Sequence, residues 1–279
     1  MKKSLMVEKQ SGEKEAFSPE KLQQSLSRSG ASQQLIAKVE EALRPHMYEG
    51  INTSEIYRRA FQLLRKLKRS NAARYSLKKA IMELGPSGYP FERFVGAVLE
   101  KLGYEVEVGQ VVQGHCVQHE VDVVARDSKV QFMVECKYYN NQGKYCNVQV
   151  PLYIDSRFKD IEKRWKTHQA NQGLDFSGWV VTNTRFTSDA MAYGKCAGLH
   201  LVSWDYPRHQ GLKDMIEHSG LFPVTVLTSL NIKQKRMLLD EGVVLCRQLM
   251  EKPGVLDTLG LTRPKKQNVL DELDEVVGE

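Results

Sequence analysis

With 279 residues, 41% of them hydrophobic and 27% charged, the chain has the composition of a globular protein of two or three domains, which excludes a disordered or fibrous one. No apolar run reaches membrane-spanning length, and the opening MKKSLMVEKQSGEKE lacks the apolar core of a signal peptide, so a cytoplasmic protein without a membrane partner is expected. Five cysteines stand singly, with no Cys-x-x-Cys pair, which argues against a zinc ribbon or a disulfide framework and for reduced thiols. The net charge of +6 is uneven: residues 1–89 hold 17 Lys/Arg against 9 Asp/Glu, the remainder 23 against 25. Within 58–79 nine basic residues meet no acidic one, a pattern that fits either a polyanion partner or a solvated helix face.

In chain order, VEKQSGEKEAFS reads as a short hairpin turning at Ser11-Gly12, with Val7 and Phe17 as apolar anchors. Ser18-Pro19-Glu20 supplies an N-cap and a first-turn proline, and Leu22 and Leu26 continue at helical spacing. Thr53 opens another helix whose stripe is Ile56, Ala60, Leu63, Leu64 and Leu67. GPSGYP at 85–90 breaks the pattern, which places a first boundary near residue 88.

From there helix and strand alternate. FERFVGAVLEKLGY has apolar residues at spacings of three and four and stops at Gly103, predicting an amphipathic helix. Strands are expected at 104–112, 119–126 and 129–138, the last two joined by the short RDS turn as an antiparallel hairpin. A helix over 152–170, a buried strand at GWVVTN, a helix at TSDAMAYGKCAG and a strand at LHLVSW complete a mixed sheet covered on both faces. The third segment, to residue 279, reads as short helices. The expected architecture is therefore multidomain α/β: a mainly helical segment 1–88, a mixed α/β/α sheet domain 89–220, and a small helical domain 221–279.

Three charges interrupt the apolar strands. Asp122 shares its face with Glu120 and Val124, while Glu135 and Lys137 lie two apart on one face, roughly 7 Å from each other. If the hairpin pairs as drawn, Asp122, Glu135 and Lys137 converge. Two carboxylates on neighbouring strands suit a hard divalent cation, and a lysine beside it can orient a water for attack on a phosphodiester. The alternative is a structural ion pair of Lys137 with either carboxylate. Asp127-Ser128-Lys129 has the same spacing but falls in the turn, so the triplet alone carries little. His119 and Glu120 either join the centre or form a polar strand end. Tyr138, Tyr139, Asn140 and Asn141 are candidates for contacts to the substrate backbone. Arg157 and Lys159, on the following helix, read equally as phosphate ligands or as exposed surface.

FERFVGAVLEKLGY, HEVDVVA, VECKYY, GWVVTNTRFTSDA and GLHLVSW together resemble the PD-(D/E)xK nuclease superfamily, specifically its Mrr-type restriction endonuclease domain, across residues 90–205. That resemblance implies Asp122 and Glu135 as metal ligands, with the backbone carbonyl of Cys136 completing the shell. It implies Lys137 as the catalytic lysine and Glu92 as the supporting helix carboxylate, with Mg²⁺ or Mn²⁺ as cofactor and DNA as substrate. Val121 stands where the pattern often has proline.

VEKQSGEKEAFSPEKLQQSLSRSG, followed by TSEIYRRAF and AARYSLKKAI, resembles an ATP-cone, the nucleotide-binding regulatory module of ribonucleotide reductases. This implies ATP or dATP held by Val7, Lys9, Gln10, Ser11, Gly12 and Lys21, with Gln10-Ser11 standing where the family often has Arg-Asp or Arg-Asn. A docking domain that keeps the shape without the ligand is the alternative. LLDEGVVLCRQLMEKPGVL resembles a helix-hairpin-helix unit, whose hairpin would place the amides of Gly242 and Val243 against a DNA phosphate; packing or dimerisation explains the same pattern. The combined expectation is a metal-dependent restriction-type endonuclease, a homo-oligomer regulated by a nucleoside triphosphate. A non-cleaving nucleotide-responsive nucleic-acid-binding protein, or a nuclease for RNA or branched DNA, is the alternative.

Overall fold

Val7 lies at the centre of β1 (Met6–Glu8), 2% exposed, and that burial fixes which face of the first small sheet turns inward. The computed structural model describes residues 5–9 and 12–278. β1 pairs antiparallel with β2 (Lys14–Ala16), as the hairpin pattern predicts, and parallel with β3 (Ile51–Asn52), bringing Val7 beside Ile51. Between them run α1 (Pro19–Arg28) and α2 (Gln33–Leu43); α3 (Thr53–Leu67) and α4 (Arg69–Tyr75) follow. Ser18, Ser32 and Asn52 cap the first three helices, each side chain accepting an N–H of the opening turn that no helical carbonyl can reach. Leu26, Val39, Ala60, Leu64 and Ala72 form their common core. Leu67 departs from the expected stripe: it is half exposed, because the helix ends there and Lys68 turns extended.

After α5 (Leu77–Met82) comes α6 (Tyr89–Lys101), and then β4 (Glu105–Gln113), β5 (Gln118–Arg126) and β6 (Val130–Lys137). β7 (Tyr145–Cys146) precedes the long α7 (Gln149–Trp165). β8 (Asp175–Thr182), β9 (Arg185–Phe186), α8 (Ser188–Ala197), β10 (His200–Val202) and α9 (Leu212–Ser219) complete this part. The sheet order is β10-β8-β6-β5-β4, antiparallel across β4, β5 and β6 and parallel across β6, β8 and β10. Parallel neighbours need crossovers, and α7 and α8 are those crossovers. Ile154, Phe158 and Ile161 of α7 join Met133, Val180 and Leu201 in one buried cluster. Gly96 lets α6 sit close on the sheet, since a Cβ there would lie 2.8 Å from Val108. The mixed, doubly covered sheet is the fold the alternating pattern predicts.

The remaining elements are α10 (Ile232–Asp240), α11 (Cys246–Glu251) and α12 (Arg263–Val277). The chain divides into two compact units, Met1–Leu77 with Val226–Lys235 and Lys252–Glu279, and Lys78–Thr225 with Arg236–Glu251, so the C-terminal segment contributes to both. Within the first unit α12 packs on α4, with Glu275 accepting the Ser70 N–H. Among the described residues no helix is long and apolar enough to cross a membrane.

Phe132 anchors the sheet domain: it is 1% exposed, stacks on Trp179 at 4.7 Å and meets the edge of Tyr104 at 4.8 Å. Phe132→Ala should destabilise the chain by about 3–5 kcal/mol, read as a lowered denaturant midpoint, because the ring leaves a void between two other rings.

Candidate active site

β5 and β6 pair as far as Val123 opposite Val134 and then part, while β6 stays paired with β8 through Lys137 and Thr182. Parting leaves the Cys136 N–H without its strand partner, and Asp122 Oδ2 accepts it at 2.7 Å. One carboxylate thus closes the fork in the sheet. Glu135, 5% exposed as a side chain, has Lys137 Nζ at 2.6 Å on Oε1 and Arg157 Nη1 at 2.8 Å on Oε2. The expected facing of Glu135 and Lys137 holds. Arg157 reaches in from α7, and its second nitrogen donates to the Glu120 carbonyl.

The first turn of α6 adds Glu92. Burial, then the charges of Asp122, Glu120 and Glu135, push its pKa from 4.5 up to about 7 against the opposing pull of Lys137. Asp122 is raised from 3.8 to about 6, first by burial and then by Glu135. Lys137 is raised by its contact with Glu135 and by the charge of Asp122, which outweigh the burial that opposes them. Burial and the surrounding carboxylates keep the Cys136 thiol protonated, so its backbone carbonyl is the donor that residue can offer.

This donor set fits a hard divalent ion. Three carboxylates whose negative charges disfavour one another are gathered around one strand end, and their donor atoms are oxygens, as Mg²⁺ and Mn²⁺ prefer. Among the described residues no three His, Cys, Asp or Glu side chains are already arranged to hold a metal. A carbonyl and waters would therefore complete a shell, which is how Mg²⁺ is usually bound.

His119 stands apart from this centre. Its Nε2 meets Asp160 Oδ2 at 2.8 Å, and Asp160 also accepts the N–H groups of Cys116 and Val117, so the pair braces the β4–β5 turn. Tyr138 is spent on structure: its hydroxyl donates to the Met82 carbonyl and accepts the Gly85 N–H. Lys159 is exposed and paired with Asp155 at 2.7 Å.

In the first unit, Lys9 and Lys21 converge on Glu15, each at 3.2 Å from Oε2, and Lys9 also meets Glu13 at 3.0 Å. Gly12 has φ +84°, which the turn requires. Val7 is a core residue of β1. Gln10 and Ser11 lie outside the described residues. The basic run has a definite setting: Arg65, Lys66, Lys68 and Arg69 line a cleft of about 920 Å³ with Asn268, Asp271 and Glu275 of α12.

The hairpin expectation for Gly242 and Val243 needs correction. Gly242 (φ +75°) ends α10, and its N–H and that of Val243 donate to the carbonyls of Leu239 and Leu238 at 2.9 and 2.8 Å. The next two N–H groups, of Val244 and Leu245, go to Gln248 Oε1. These amides close a helix cap and are not offered to a phosphate.

Known proteins agree with this layout. An ATP cone domain model matches residues 5–81, a restriction endonuclease model residues 85–206, and a model described as AF1548-like, C-terminal, residues 222–277. An uncharacterized protein of Archaeoglobus fulgidus is 33% identical over 186 residues, 65% of this chain and 98% of that protein. The chain belongs to the AF1548-like family. A crystal structure of AF1548 itself is similar at 32% identity and a TM-score of 0.55, over 69% of this chain and 99% of that one. The MspJI restriction endonuclease in complex with a 27-mer oligonucleotide is similar at 12% identity and a TM-score of 0.31, over 54% of this chain and 31% of that one. This AF1548-like chain accordingly carries an ATP cone followed by a restriction-endonuclease domain, as the motifs imply.

Arg157, read from the sequence as a phosphate ligand or as exposed surface, is a member of the centre through its contact with Glu135. The available signal was its position in the third turn of the crossover helix after Glu-x-Lys, which has meaning only once that helix is laid across the sheet.

The raised carboxylates make a pH test. Asp122 and Glu92 bind their protons more tightly folded than unfolded, so their stabilising contribution is present below 3.8 and 4.5 and is lost as pH rises through about 6 and about 7. In a chelator, the chain should melt at a lower temperature at pH 7.5 than at pH 5.5, and Glu92→Gln should flatten that slope.

Proposed function

We propose that the chain is a divalent-metal-dependent endodeoxyribonuclease of restriction type, with residues 89–220 as its nuclease domain, 1–88 as a regulatory domain binding ATP or dATP, and 221–279 as a helical segment for DNA binding or assembly. The restriction-endonuclease match supports hydrolysis of phosphodiesters in general. DNA as substrate, the metal and the nucleotide control are the parts proposed here, together with a homo-oligomeric state. The observation that carries the reading is the convergence of Asp122, Glu135 and Lys137 at one fork in the sheet.

In this reading Asp122, Glu135 and the Cys136 carbonyl would hold Mg²⁺ or Mn²⁺, which would neutralise phosphate charge and lower the pKa of water. Asp122 is oriented by the Cys136 N–H, so its position is set by the backbone of β6. Lys137, kept charged by Glu135, orients the attacking water through its ammonium. Glu92, with a pKa of about 7, is placed to exchange a proton at neutral pH.

Plasmid cleavage with Mg²⁺ tests this. Asp122→Ala and Lys137→Ala should each lower the rate by at least about a hundredfold. Activity that survives both substitutions removes the mechanism, and binding of DNA without any cleavage by the wild type favours the non-cleaving alternative.

For the first domain, the convergence of Lys9 and Lys21 on one carboxylate supports a triphosphate site, since an anion can take that carboxylate's place. Lys21→Ala should weaken ATP binding by about tenfold in calorimetry, because one charge-assisted contact is lost. Light scattering with and without ATP should show a change in subunit number that this variant lacks.

A further inference from the structure

Both oxygens of Glu135 are occupied by cations of the chain itself, Lys137 on one and Arg157 on the other. The two cations differ. Lys137 stands two residues along the same strand and is 36% exposed. Arg157 is 14% exposed and doubly tethered, to Glu135 Oε2 and to the Glu120 carbonyl, with its guanidinium 5.5 Å from the ring centre of Tyr153. A buried carboxylate stripped of its partners is strongly destabilising, so the metal-free chain needs such a cation. A divalent ion needs the same oxygens.

We propose that Arg157 is a built-in counter-cation of Glu135, which holds the carboxylate until a divalent ion displaces it. The inference rests on the reading of Glu135 as a metal ligand. Two cations competing for one carboxylate are negatively coupled, so the guanidinium lowers metal affinity by the strength of its own contact. In exchange it keeps the strand end folded and closed to stray binding. Once displaced, it remains on α7 beside the centre, where its planar fork suits a phosphate. The phosphate role expected of Arg157 from its place after Glu-x-Lys then begins only with metal loading.

Mn²⁺ titration of the full chain without DNA, followed by calorimetry and by electron paramagnetic resonance of the free ion, reads the coupling directly. Arg157→Gln should bind Mn²⁺ about fivefold more tightly than the wild type. Its metal-free melting temperature should fall, and the deficit should shrink as Mn²⁺ saturates. Arg157→Lys, which keeps the charge with a weaker fork, should bind with intermediate affinity. Equal or weaker Mn²⁺ binding by a folded Arg157→Gln overturns the proposal; if that variant does not fold, the Lys variant decides, and affinity equal to or below the wild type overturns it. Glu135→Gln separates the two readings. If it binds Mn²⁺ as the wild type does, Glu135 is no ligand and the metal site itself fails; if it loses Mn²⁺ while Arg157 variants are unchanged, only the counter-cation role fails.

Discussion

The fork between β5 and β6 is the constraint from which the centre follows. A buried N–H left without a strand must find another acceptor, and at Cys136 that acceptor is the carboxylate of Asp122. The bond ties the first acidic residue to the backbone of the strand that carries Glu135 and Lys137. Two residues drawn from different strands therefore keep their spacing through a hydrogen bond from the Cys136 N–H to the Asp122 side chain. The same bond makes Asp122 a member of the sheet as well as of the site. Removing it disturbs a fold element and a donor together, and any account of its variants has to separate the two.

Charge balance is the second constraint. Glu92, Asp122 and Glu135 face Lys137 and Arg157, and the surplus appears as two carboxylates with raised pKa values. Burial is the larger cause for both, and mutual repulsion adds to it. Such strain at a water-accessible strand end is hard to explain as a device for stability, since a well-packed apolar group would serve better. It is intelligible if a cation is part of the working state.

Much of this was legible in the sequence because strands alternate with period two. That rule alone puts Glu135 and Lys137 on one face, and the RDS turn puts Asp122 across from them. The helix stripes were legible for the same kind of reason, with Leu67 lost only because the helix ends at it. Arg157 was legible as a candidate phosphate ligand but not as a partner of Glu135. Its role depends on how α7 crosses the sheet, which hydrophobic spacing does not encode beyond Ile154, Phe158 and Ile161 facing inward. Gly242 failed for a different reason: a glycine turn between two helices ends a helix by a cap or opens one toward a phosphate, and only the hydrogen bonds of Leu238 and Leu239 distinguish the two. The tail was harder still. Apolar patterning shows which residues are buried but not against what, and α12 is buried against α4, nearly two hundred residues earlier.

Both candidate sites keep their charged groups paired internally, yet the exchange each demands differs in scale. Glu15 is 28% exposed between lysines that are 37% and 67% exposed, so water already screens these contacts and an incoming triphosphate replaces them at little cost. Glu135 and Arg157 are 5% and 14% exposed, and the low dielectric around them makes the same kind of exchange far more demanding. A nucleotide would thus meet a permissive site and a metal a guarded one. For the nuclease proposed here that order is sensible, because a nucleotide-responsive domain has to follow small changes in ligand, whereas a cutting centre does least harm when it assembles only with its ion in place.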